Sequence, residues 1–412
     1  MGLKKDNKRI LLILPYGSVG GMERLALTFY EYYLSLGYFI KAIKFIKLES
    51  DIIDFGENEL FLSLKDFNNM SAQGRYGFYL KAPLALRKLI KKYKITHSIA
   101  FGDMANLFSS LTFTNEYKIG SVHALKSVEL SSPTFFNKMI RFGLRSSYKN
   151  LNKLVCISKS IKEDLIVNCN YGFDNLQVIY NPHSIEKLIA MSLEPIVDPE
   201  ELELFKGETI LFLGRLSVQK SPWHLIHAFN ILAVGRRDLK LLFIGDGDQQ
   251  VMEYIKTLTT HLNLDERVFF LGRRNNPYTY LKKVSCLALT SNYEGTPNVI
   301  VEAIALNTPV VTSFCTSGIL ELMSIDEKLT YDNKGILETE AGIITPNFYE
   351  GTLGIPNSFE VRSTDKIHLF AKGLEKVLDA TANGMGTESK KELLLRKFDL
   401  STIAKEYLTE KN

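Results

Sequence analysis

The sequence predicts an α/β protein made of two doubly wound halves, each holding a parallel sheet between helices. Short apolar runs alternate with helical patterns, and loops bearing Gly or Pro join them. This strand–loop–helix order occupies residues 10–180 and resumes over residues 209–345. A chain of 412 residues with 45% hydrophobic residues is long and apolar enough for two or three domains with sizeable cores.

One α/β unit, residues 285–313, carries the strongest chemical pattern. Its apolar run Cys286–Leu289 predicts a buried strand. Thr296-Pro297 then predicts a helix start, because Thr caps free N–H groups and Pro suits the first helical position. Asn307, in a left-handed conformation, and Pro309 are expected to end the helix. The loop between strand and helix should lie at the carboxyl end of the strand, where open α/β sheets bind ligands.

Two carboxylates flank the predicted helix start. Glu294 lies in the loop, and Glu302 lies five residues beyond Pro297, about 7.5 Å along the helix axis. Glu302 shares a helix face with Asn298. A sugar nucleotide needs this layout, with its diphosphate on the N-terminal amides and its ribose beside a carboxylate. The alternative is an N-capped helix with two solvated acids, and spacing alone leaves both interpretations open.

The segment Glu294–Glu302, followed by a Pro-Val-Val run, resembles the E-x7-E signature of retaining family 4 glycosyltransferases. These are GT-B enzymes, in which two Rossmann-like domains face each other across a cleft. Cys315–Gly318 and Glu321 most resemble the bacterial hexosamine transferases that build surface glycans on lipid carriers. The chain departs from the family at Asn307, where glycine is usual, but asparagine tolerates the left-handed conformation. The resemblance implies donor contacts at Glu294, Gly295, Thr296, Pro297, Asn298, Val299 and Glu302.

Composition bears on where the chain works. It has no apolar run of about 18 residues, the length that could span a membrane. Lys4-Lys5 followed by Ile10–Leu14 mimics the start of a signal peptide, but the apolar run is short, ends at Pro15 and lacks a small-residue cleavage site. The four cysteines form neither a CxxC pair nor the spacing of metal ligands; they are Cys156, Cys169, Cys286 and Cys315. These features favour a reducing cytoplasm.

Positive charge is concentrated in the first half. Residues 1–190 hold 26 Lys and Arg against 16 Asp and Glu, and the remainder holds 24 against 30. The halves thus carry +10 and −6, which sum to the net +4. A basic half is expected to meet an anionic surface. Since no nucleic-acid motif is present and bulky apolar residues lie among the basic ones, we expect a membrane rather than nucleic acid.

The first strand is predicted at Ile10–Leu14, and a Gly-rich turn and a helix over about Met22–Leu36 follow it. Such a turn lets a ligand approach the backbone, and the helix start offers free N–H groups. Gly20-Gly21-Met22-Glu23 resembles the family's Gly-Gly-x-Glu motif, whose loop faces the donor phosphates and the acceptor. The resemblance therefore assigns Gly20 and Gly21 to substrate binding.

Two segments of the first half have a basic amphipathic pattern. A second strand is predicted at 38–46 and an irregular stretch at 50–74. The first amphipathic segment, Arg75–Lys94, follows them and predicts a helix that Pro83 either breaks or starts. Pro133–Lys153 repeats the mixture of aromatic, aliphatic and basic residues. Such helices dock on anionic membranes, but they also occur as ordinary domain helices with a solvated basic face. Peripheral membrane contact therefore stays open.

Two further strands bring polar residues to the ligand edge. His97–Phe101 is predicted to end beside Asp103, and Lys118–Val122 to end at His123. A lone histidine is usually structural, but the segment around His123 resembles the strand end whose histidine lies beside the donor sugar in the family. The resemblance implies that His123 contacts the sugar and that Asp103 takes part in substrate binding.

Strands predicted at Leu154–Ile157 and Gln177–Tyr180 close the first half. Between them, Ser160 and Glu163 fit a capping box at a helix start. The polar, Pro-bearing stretch that follows predicts a connection to the second half.

The second half opens with a strand at Thr209–Leu213, and Gly214, Arg215 and Lys220 precede a helix start at Ser221-Pro222. Arg grips phosphate in a bidentate manner and Lys supplies a compact charge. Surface Arg and Lys are common, so this spacing alone is only suggestive. Gly214-Arg215-x4-Lys220 also resembles the family's pyrophosphate clamp, which implies that both cations bind the donor diphosphate.

Two more strand ends face the same edge. Leu241–Ile244 leads into Gly245-Asp246-Gly247-Asp248, which resembles the family's Gly-x-Gly turn and implies a donor contact at Gly245. A metal-binding DxD is the other interpretation of these aspartates, and we favour the turn. Val268–Leu271 precedes the loop where the family binds the nucleobase, so Arg273 or Arg274 is expected to flank the base.

These elements predict the domain bounds. We place an N-terminal acceptor-side domain at residues 1–185 and a linker at 186–207. A nucleotide-sugar domain follows at 208–384, and a C-terminal helical segment at 385–412 crosses back to the first domain. The fold class expected from the resemblance is GT-B, with a cleft between two facing Rossmann-like domains.

Taken with the patterns, the family resemblance implies a retaining glycosyltransferase of surface polysaccharide synthesis. It is expected to move a hexose or N-acetylhexosamine from a UDP-sugar, in preference to a GDP-sugar, to a glycan or polyprenyl-linked acceptor. The predicted catalytic residues are Glu294, His123, Arg215 and Lys220, and Glu302 should bind the ribose. We expect no metal and no cofactor besides the sugar nucleotide, and a place in the cytoplasm, at the inner face of the cell membrane if that contact exists.

Two other functions stay open at this point. A sugar-nucleotide 2-epimerase has the same fold, but the pairing of Arg215 and Lys220 with E-x7-E weighs against it. A catalytically silent sugar-nucleotide binder would serve as a scaffold in a glycan pathway, and the intact motif residues disfavour it.

Overall fold

The computed structural model describes residues 8–16, 21–49, 51, 53–360, 364–382 and 388–410, and the chain divides into two units. Unit 1 contains Met1–Pro182 and Leu400–Asn412, and unit 2 contains His183–Asp399. Each unit holds one seven-stranded sheet with helices packed on it. The predicted α/β class is therefore confirmed.

The sheet of unit 1 is parallel throughout. Its strands are β1 (Arg9–Leu14), β2 (Phe39–Ile46), β3 (Glu59–Ser63), β4 (His97–Phe101), β5 (Tyr117–Val122), β6 (Lys153–Cys156) and β7 (Leu176–Val178). They lie in the order β3-β2-β1-β4-β5-β6-β7. Ile10–Leu14 is fully buried, as expected for a parallel strand covered on both faces. The strand order reverses between β1 and β4, so the carboxyl ends of these two strands form the topological switch point.

Helices cover this sheet. Those described between residues 21 and 167 are α1 (Gly21–Ser35), α2 (Ala72–Lys92), α3 (Asp103–Ser110), α4 (Lys126–Glu129), α5 (Phe135–Arg145) and α6 (Lys159–Val167). Side chains cap the starts of α2 and α5: Ser71 Oγ accepts a hydrogen bond from the Gly74 amide, and Thr134 Oγ1 accepts one from the Asn137 amide. Gly37 follows α1 with φ +77°, the left-handed residue expected after a helix end.

The prediction of an irregular stretch at residues 50–74 is wrong, because this stretch contains strand β3 and the start of α2. Lys44, a buried lysine of β2, organises the segment. Its Nζ lies 2.8 Å from Glu59 Oε2 and donates a hydrogen bond of 2.5 Å to the Ile53 carbonyl. A buried ammonium requires such partners, and here they come from this segment.

Pro83 neither breaks nor starts α2, which continues on both sides of it. Pro83 is buried, and Leu86 and Ile90 on the same helix belong to the core, so packing outweighs the missing hydrogen bond. The second amphipathic helix is shorter than predicted and ends at Arg145. A 3-10 turn follows, in which the buried Tyr148 packs against Gly143.

The predicted capping box at Ser160 and Glu163 is also wrong. Helix α6 begins at Lys159, because Ser158 Oγ accepts a hydrogen bond of 3.2 Å from the Ile161 amide. Ser160 lies inside the helix, and its hydroxyl is 2.8 Å from that of Ser158. Only Ser160 has a Glu three residues later, but the earlier serine, Ser158, caps the helix.

The sheet of unit 2 repeats the architecture. Its strands are β8 (Thr209–Leu213), β9 (Lys240–Ile244), β10 (Val268–Gly272), β11 (Cys286–Leu289), β12 (Val310–Ser313), β13 (Leu337–Thr339) and β14 (Gly342–Thr345). Their order is β10-β9-β8-β11-β12-β14-β13, and only the β13–β14 pair is antiparallel. The switch point of this sheet lies between β8 and β11.

The described helices of unit 2 are α7 (Ile185–Ser192), α8 (Pro199–Glu203), α9 (Trp223–Ala233), α10 (Gln249–His261), α11 (Tyr278–Leu281), α12 (Asn298–Ala305), α13 (Gly318–Met323), α14 (Thr364–Ala382) and α15 (Glu388–Leu395). The segment 186–207, predicted as a linker, thus holds helical residues that belong to unit 2. Helix α7 packs against α11 and α12. Within the described ranges of both units, no helix has the length and apolarity needed to cross a bilayer.

The last helix, α16 (Leu400–Leu408), belongs to unit 1. Lys153 Nζ donates hydrogen bonds to the Glu406 carbonyl at 2.6 Å and to the Thr409 carbonyl at 3.0 Å. A cation at this position stabilises the negative end of the helix dipole. The Tyr33 hydroxyl donates to the Ala404 carbonyl at 2.8 Å. Helix α16 is therefore a structural part of unit 1, whereas α15, in the same predicted C-terminal segment, belongs to unit 2.

Three buried or half-buried histidines make the stability of unit 2 sensitive to acid. Burial lowers the pKa of His183 and of His227 to about 4, and that of His224 to about 3. In the unfolded chain these imidazoles take up protons near pH 6.5. The unfolded state therefore binds more protons between about pH 6.5 and pH 3–4, so stability falls as the pH falls through this window. From pH 7 to pH 5 we expect a loss of roughly 1–2 kcal/mol per histidine.

The chain's single tryptophan reports on this loss. Trp223 lies in unit 2, and its ring centroid is 5.8 Å from that of His224. Its fluorescence should show a lower urea midpoint at pH 5 than at pH 7. His224→Phe keeps the stack on Phe348, whose ring lies 4.3 Å away, and should reduce the shift by about a third. Equal midpoints at the two pH values would contradict the prediction.

Candidate active site

Two loops meet at the switch point of unit 2. One follows β8 and the other follows β11, and hydrogen bonds join them. The Asn292 amide donates to the Gln219 carbonyl at 2.8 Å, and Asn292 Nδ2 donates to the Val218 carbonyl at 3.0 Å. Ser221 Oγ donates to the Thr290 carbonyl at 2.6 Å. Residues far apart in sequence are thereby held in one fixed arrangement.

Lys220 and Glu294 form the centre of this arrangement. Lys220 Nζ lies 2.5 Å from Glu294 Oε1, and the two side chains are 17% and 10% exposed. Ser291 Oγ donates to the same oxygen at 2.9 Å, and Gln219 Nε2 lies 3.5 Å from Glu294 Oε2. The sequence singled out the lysine and the glutamate but missed Ser291 and Gln219, which carry no motif signal of their own.

Helix α12 starts beside Glu294. It begins at Asn298, after Pro297 in an extended conformation. The predicted capping role of Thr296 is wrong, since no side chain caps this helix and Thr296 Oγ1 is buried without a hydrogen-bond partner among the described residues. Gly295 is buried, while Asn298 and Val299 are half-buried. The first N–H groups of the helix and an unsatisfied hydroxyl therefore lie next to the Lys220–Glu294 pair, which suits an anionic, hydroxyl-rich ligand.

Glu302 lies one turn further along α12 and is half-buried. The Tyr278 hydroxyl donates a hydrogen bond of 3.3 Å to Glu302 Oε1. Tyr278 begins α11, directly after the loop predicted to hold a nucleobase. The sequence pattern did not reveal this contact, because the residues lie on different helices.

The turn after β9 supports the loop after β8. The Gly214 amide donates to the Ile244 carbonyl at 3.0 Å, and the Leu216 amide donates to the Asp246 carbonyl at 2.8 Å. Asp248 Oδ1 accepts hydrogen bonds from the Gln250 and Val251 amides and so caps α10. Gly245 lies between these contacts and close to the backbone of Gly214.

The arginines of the site differ in their surroundings. The side chains of Arg215 and Arg273 are exposed, and within the described ranges neither forms a hydrogen bond or an ion pair. Arg274 instead forms an ion pair with Glu201 of α8 and donates a hydrogen bond to the Tyr280 hydroxyl at 3.2 Å. Of the two arginines expected beside a nucleobase, Arg274 thus has a structural role, and Arg273 is the accessible one.

Unit 1 places its own predicted residues after the carboxyl ends of its neighbouring strands β1, β4 and β5. His123 follows β5, and its Nε2 lies 2.8 Å from Ser121 Oγ. Burial, and then the Lys126 ammonium, lower the pKa of His123 to about 3, so the imidazole is neutral at pH 7. Asp103 begins α3 and is paired with Lys126 at 2.9 Å. Gly21 is the first residue of α1, and Gly20 lies outside the described residues.

Comparison with known proteins identifies the family. The family model described as glycosyl transferases group 1 matches residues 198–338. An N-acetylgalactosamine-N,N'-diacetylbacillosaminyl-diphospho-undecaprenol 4-alpha-N-acetylgalactosaminyltransferase of Campylobacter jejuni is 30% identical over 330 residues, which cover 77% of this chain and 83% of that protein. The chain belongs to the group 1 glycosyl transferases. It is therefore a glycosyltransferase enzyme, as the motifs predicted.

Solved structures agree on the fold of this glycosyltransferase. Anabaena HepE in complex with UDP has a TM-score of 0.69 at 18% identity, covering 97% of this chain and 98% of that chain. Sucrose-phosphate synthase of Thermosynechococcus elongatus has a TM-score of 0.72 at 16% identity, covering 97% of both chains. The fold is thus that of the GT-B glycosyltransferases, which confirms the predicted class.

Proposed function

We propose that this glycosyltransferase moves a hexose or N-acetylhexosamine from a UDP-sugar to a glycan or lipid-linked acceptor in surface polysaccharide synthesis, with retention of the anomeric configuration. The observation that carries the proposal is the Lys220–Glu294 pair beside the first turn of α12, with Glu302 on the same helix. The name of the Campylobacter relative includes a diphospho-undecaprenol acceptor, and the HepE structure contains UDP. Both support the proposed substrate classes.

Each charged group of the site has a role in the proposed transfer. Breaking the bond between sugar and phosphate develops negative charge on the departing diphosphate. Lys220, Arg215 and the amides at the start of α12 stabilise that charge, and they are in place before the reaction. Glu302 binds the ribose hydroxyls, and Arg273 flanks the uracil. In the free protein Lys220 and Glu294 neutralise each other, so neither ion is left half-buried without a partner.

Glu294 holds the donor sugar rather than attacking it. Its Oε1 already receives contacts from Lys220 and Ser291, which lowers its capacity as a nucleophile and leaves it suited to accept hydrogen bonds from sugar hydroxyls. The acceptor hydroxyl then attacks from the face that the diphosphate leaves and gives its proton to the departing diphosphate. Because the new bond forms on the side of the broken one, the configuration is retained. No metal is required, because the protein's cations neutralise the leaving group.

Unit 1 supplies the sugar-orienting and acceptor groups in this proposal. A neutral His123 offers a hydrogen bond to the donor sugar without adding charge. A cavity of about 770 Å³ lies beyond the ends of β1 and β2, and its lining includes Tyr16, Lys47, Glu49 and Phe67. Aromatic faces beside charged hydrogen-bonding groups suit a carbohydrate, so we assign the acceptor to this cavity.

Unit 1 also offers a surface for an anionic membrane. Tyr76, Leu80 and Leu84 lie four residues apart on one face of α2, and each is more than half exposed. Phe135 and Phe142 of α5 are exposed to the same degree, and the Tyr76 and Phe135 ring centroids are 6.0 Å apart. Exposed lysines of both helices flank this apolar patch, namely Lys81, Lys88 and Lys138. The combination is typical of helices that lie in a membrane interface.

Removing the apolar patch should release the protein from membranes. We expect Leu80→Ser/Leu84→Ser/Phe142→Ser to lower cosedimentation with vesicles rich in phosphatidylglycerol by about tenfold or more, since each buried apolar side chain contributes roughly 1.5–3 kcal/mol. Val234→Ser, at an exposed position of unit 2, is the matched control. Equal binding by the triple variant and wild type would contradict membrane contact through this patch.

The transfer reaction itself can be tested with purified protein. UDP release is measured with a panel of UDP- and GDP-sugars, with and without undecaprenyl-diphosphate-linked acceptors, and NMR determines the anomer of the product. We expect release that depends on acceptor and on a UDP-sugar, with the donor's configuration kept in the product. Conversion of the donor to an epimer without acceptor, or binding without turnover under all these conditions, would contradict the proposal.

A further inference from the structure

Tyr278 links the proposed nucleobase loop to the carboxylate of Glu302. Its hydroxyl donates to Glu302 Oε1 at 3.3 Å, and both side chains are half-buried. We propose that Tyr278 is a positioning residue, which orients the Glu302 carboxylate toward the ribose hydroxyls of the donor nucleotide. The inference rests on the proposed donor site and deepens it, because it makes ribose recognition depend on a residue outside the E-x7-E motif.

Helix α11 holds Tyr278 rigidly. At its start, Asn276 Oδ1 accepts a hydrogen bond of 3.2 Å from the Tyr278 amide, and Asn276 Nδ2 donates to the Met191 carbonyl at 2.8 Å. At its end, Thr308 Oγ1 donates to the Leu281 carbonyl at 2.7 Å. The contact with Met191 ties the start of α11 to α7, and the contact with Thr308 ties its end to the chain after α12. The Tyr278 hydroxyl is therefore in place before the sugar nucleotide binds.

A fixed hydrogen-bond donor beside Glu302 matters because glutamate has a flexible side chain. Ordering such a side chain on binding costs up to about 1.5–2 kcal/mol of conformational entropy, and a hydrogen bond already made in the free protein removes part of that cost. With Oε1 held by Tyr278, the plane of the Glu302 carboxylate is set relative to the loop that precedes α11. The contacts with the base and the orientation of the carboxylate that binds the ribose then depend on the same rigid segment, which is α11 and the loop before it.

Tyr280 provides a matched control two residues along the same helix. Like Tyr278, Tyr280 donates a hydrogen bond from its hydroxyl to a carboxylate, in this case that of Glu201. The same hydroxyl accepts a hydrogen bond from Arg274. Tyr280 is 7% exposed. Its carboxylate partner Glu201 lies on α8, whereas Glu302 lies on α12. Tyr280→Phe therefore removes a tyrosine–carboxylate hydrogen bond of the same kind without touching Glu302.

The test compares UDP with 2',3'-dideoxy-UDP by isothermal titration calorimetry on the full chain. We expect Tyr278→Phe to weaken UDP binding about five- to tenfold, as for loss of one ordinary hydrogen bond, and to leave dideoxy-UDP binding unchanged. Glu302→Gln should likewise reduce the preference for UDP. Tyr280→Phe should lower the thermal midpoint and keep the wild-type preference. The thermal midpoint of Tyr278→Phe should match wild type, which shows that the change acts on binding.

The outcomes separate this inference from the proposed donor site. If Glu302→Gln reduces the UDP preference and Tyr278→Phe does not, the positioning role of Tyr278 is overturned and the donor site stands. If Tyr278→Phe weakens the binding of UDP and of dideoxy-UDP equally, the positioning role is also overturned, because the tyrosine would then act through packing or through contact with the base. If wild type fails to distinguish the two ligands, the ribose role of Glu302 is overturned together with this inference.

Discussion

Lys220→Met is expected to lower kcat for glycosyl transfer by about 10²- to 10³-fold, the range found when a preorganised charge-stabilising donor is removed from an active site. Methionine keeps the length and apolar bulk of the side chain but removes the ammonium, which lies 2.5 Å from Glu294 Oε1. The departing diphosphate then loses its closest compact cation, and Glu294 loses its partner. Acceptor-dependent UDP release at saturating donor measures the effect. Arg215→Ala should reduce the same rate at least tenfold, since the proposed site places the exposed guanidinium of the same loop against the diphosphate.

Controls separate chemistry from folding. Removing the ammonium leaves Glu294 half-buried with fewer partners, which costs stability. The double variant Lys220→Met/Glu294→Gln removes both charges and should recover much of the thermal midpoint but none of the activity. Lys206→Met breaks an exposed ion pair with Glu203 in the same unit and should change neither quantity. Turnover of Lys220→Met or Arg215→Ala within a few-fold of wild type would mean that the residue in question does not carry the leaving group's charge.

Gly245→Ala is expected to have the largest effect on stability, about 3 kcal/mol or more. Gly245 has φ +142°, a conformation that residues with a side chain rarely adopt, and an added Cβ would lie 1.9 Å from the Gly214 carbonyl oxygen. The turn after β9 and the loop after β8 would have to separate. That loop carries Arg215 and Lys220, so UDP affinity should fall together with the unfolding midpoint.

Gly235→Ala is the matched control for this substitution. Its added Cβ would meet only the Leu232 carbonyl oxygen, at an ordinary distance of 4.0 Å. We expect a change in stability within about 0.5 kcal/mol, as for surface substitutions in general. Urea unfolding and UDP titration measure both variants. A Gly245→Ala protein with the wild-type midpoint and wild-type UDP affinity would contradict the close approach of these two backbone segments.

Much of the fold was predictable because parallel strands covered on both faces are apolar without interruption. Ile10–Leu14 and Leu241–Ile244 are such runs, and both are buried strands. The end of α12 was predictable from Asn307, whose φ of +61° is the expected left-handed conformation. The irregular interpretation of residues 50–74 failed because their order depends on Lys44, a residue of another strand. Local sequence carries no signal for such a contact.

The candidate site was predictable to the extent that topology determines it. Loops that follow neighbouring parallel strands meet at one edge, so Lys220 and Glu294 were expected near each other, and their side chains are in contact. Contacts that depend on side-chain direction were not predictable. The pairing of Arg274 with Glu201 joins a loop to α8, and the hydrogen bond from Tyr278 to Glu302 joins α11 to α12. No periodicity or motif indicates either contact.

The most direct test of the proposed donor site is a crystal structure of the full chain with UDP. We expect the diphosphate oxygens within about 3 Å of Lys220 Nζ and of the first amides of α12, with the ribose hydroxyls on Glu302. UDP bound away from Lys220 and Glu302, or absent at saturating concentration, would contradict the proposed nucleotide site and the transfer mechanism that depends on it.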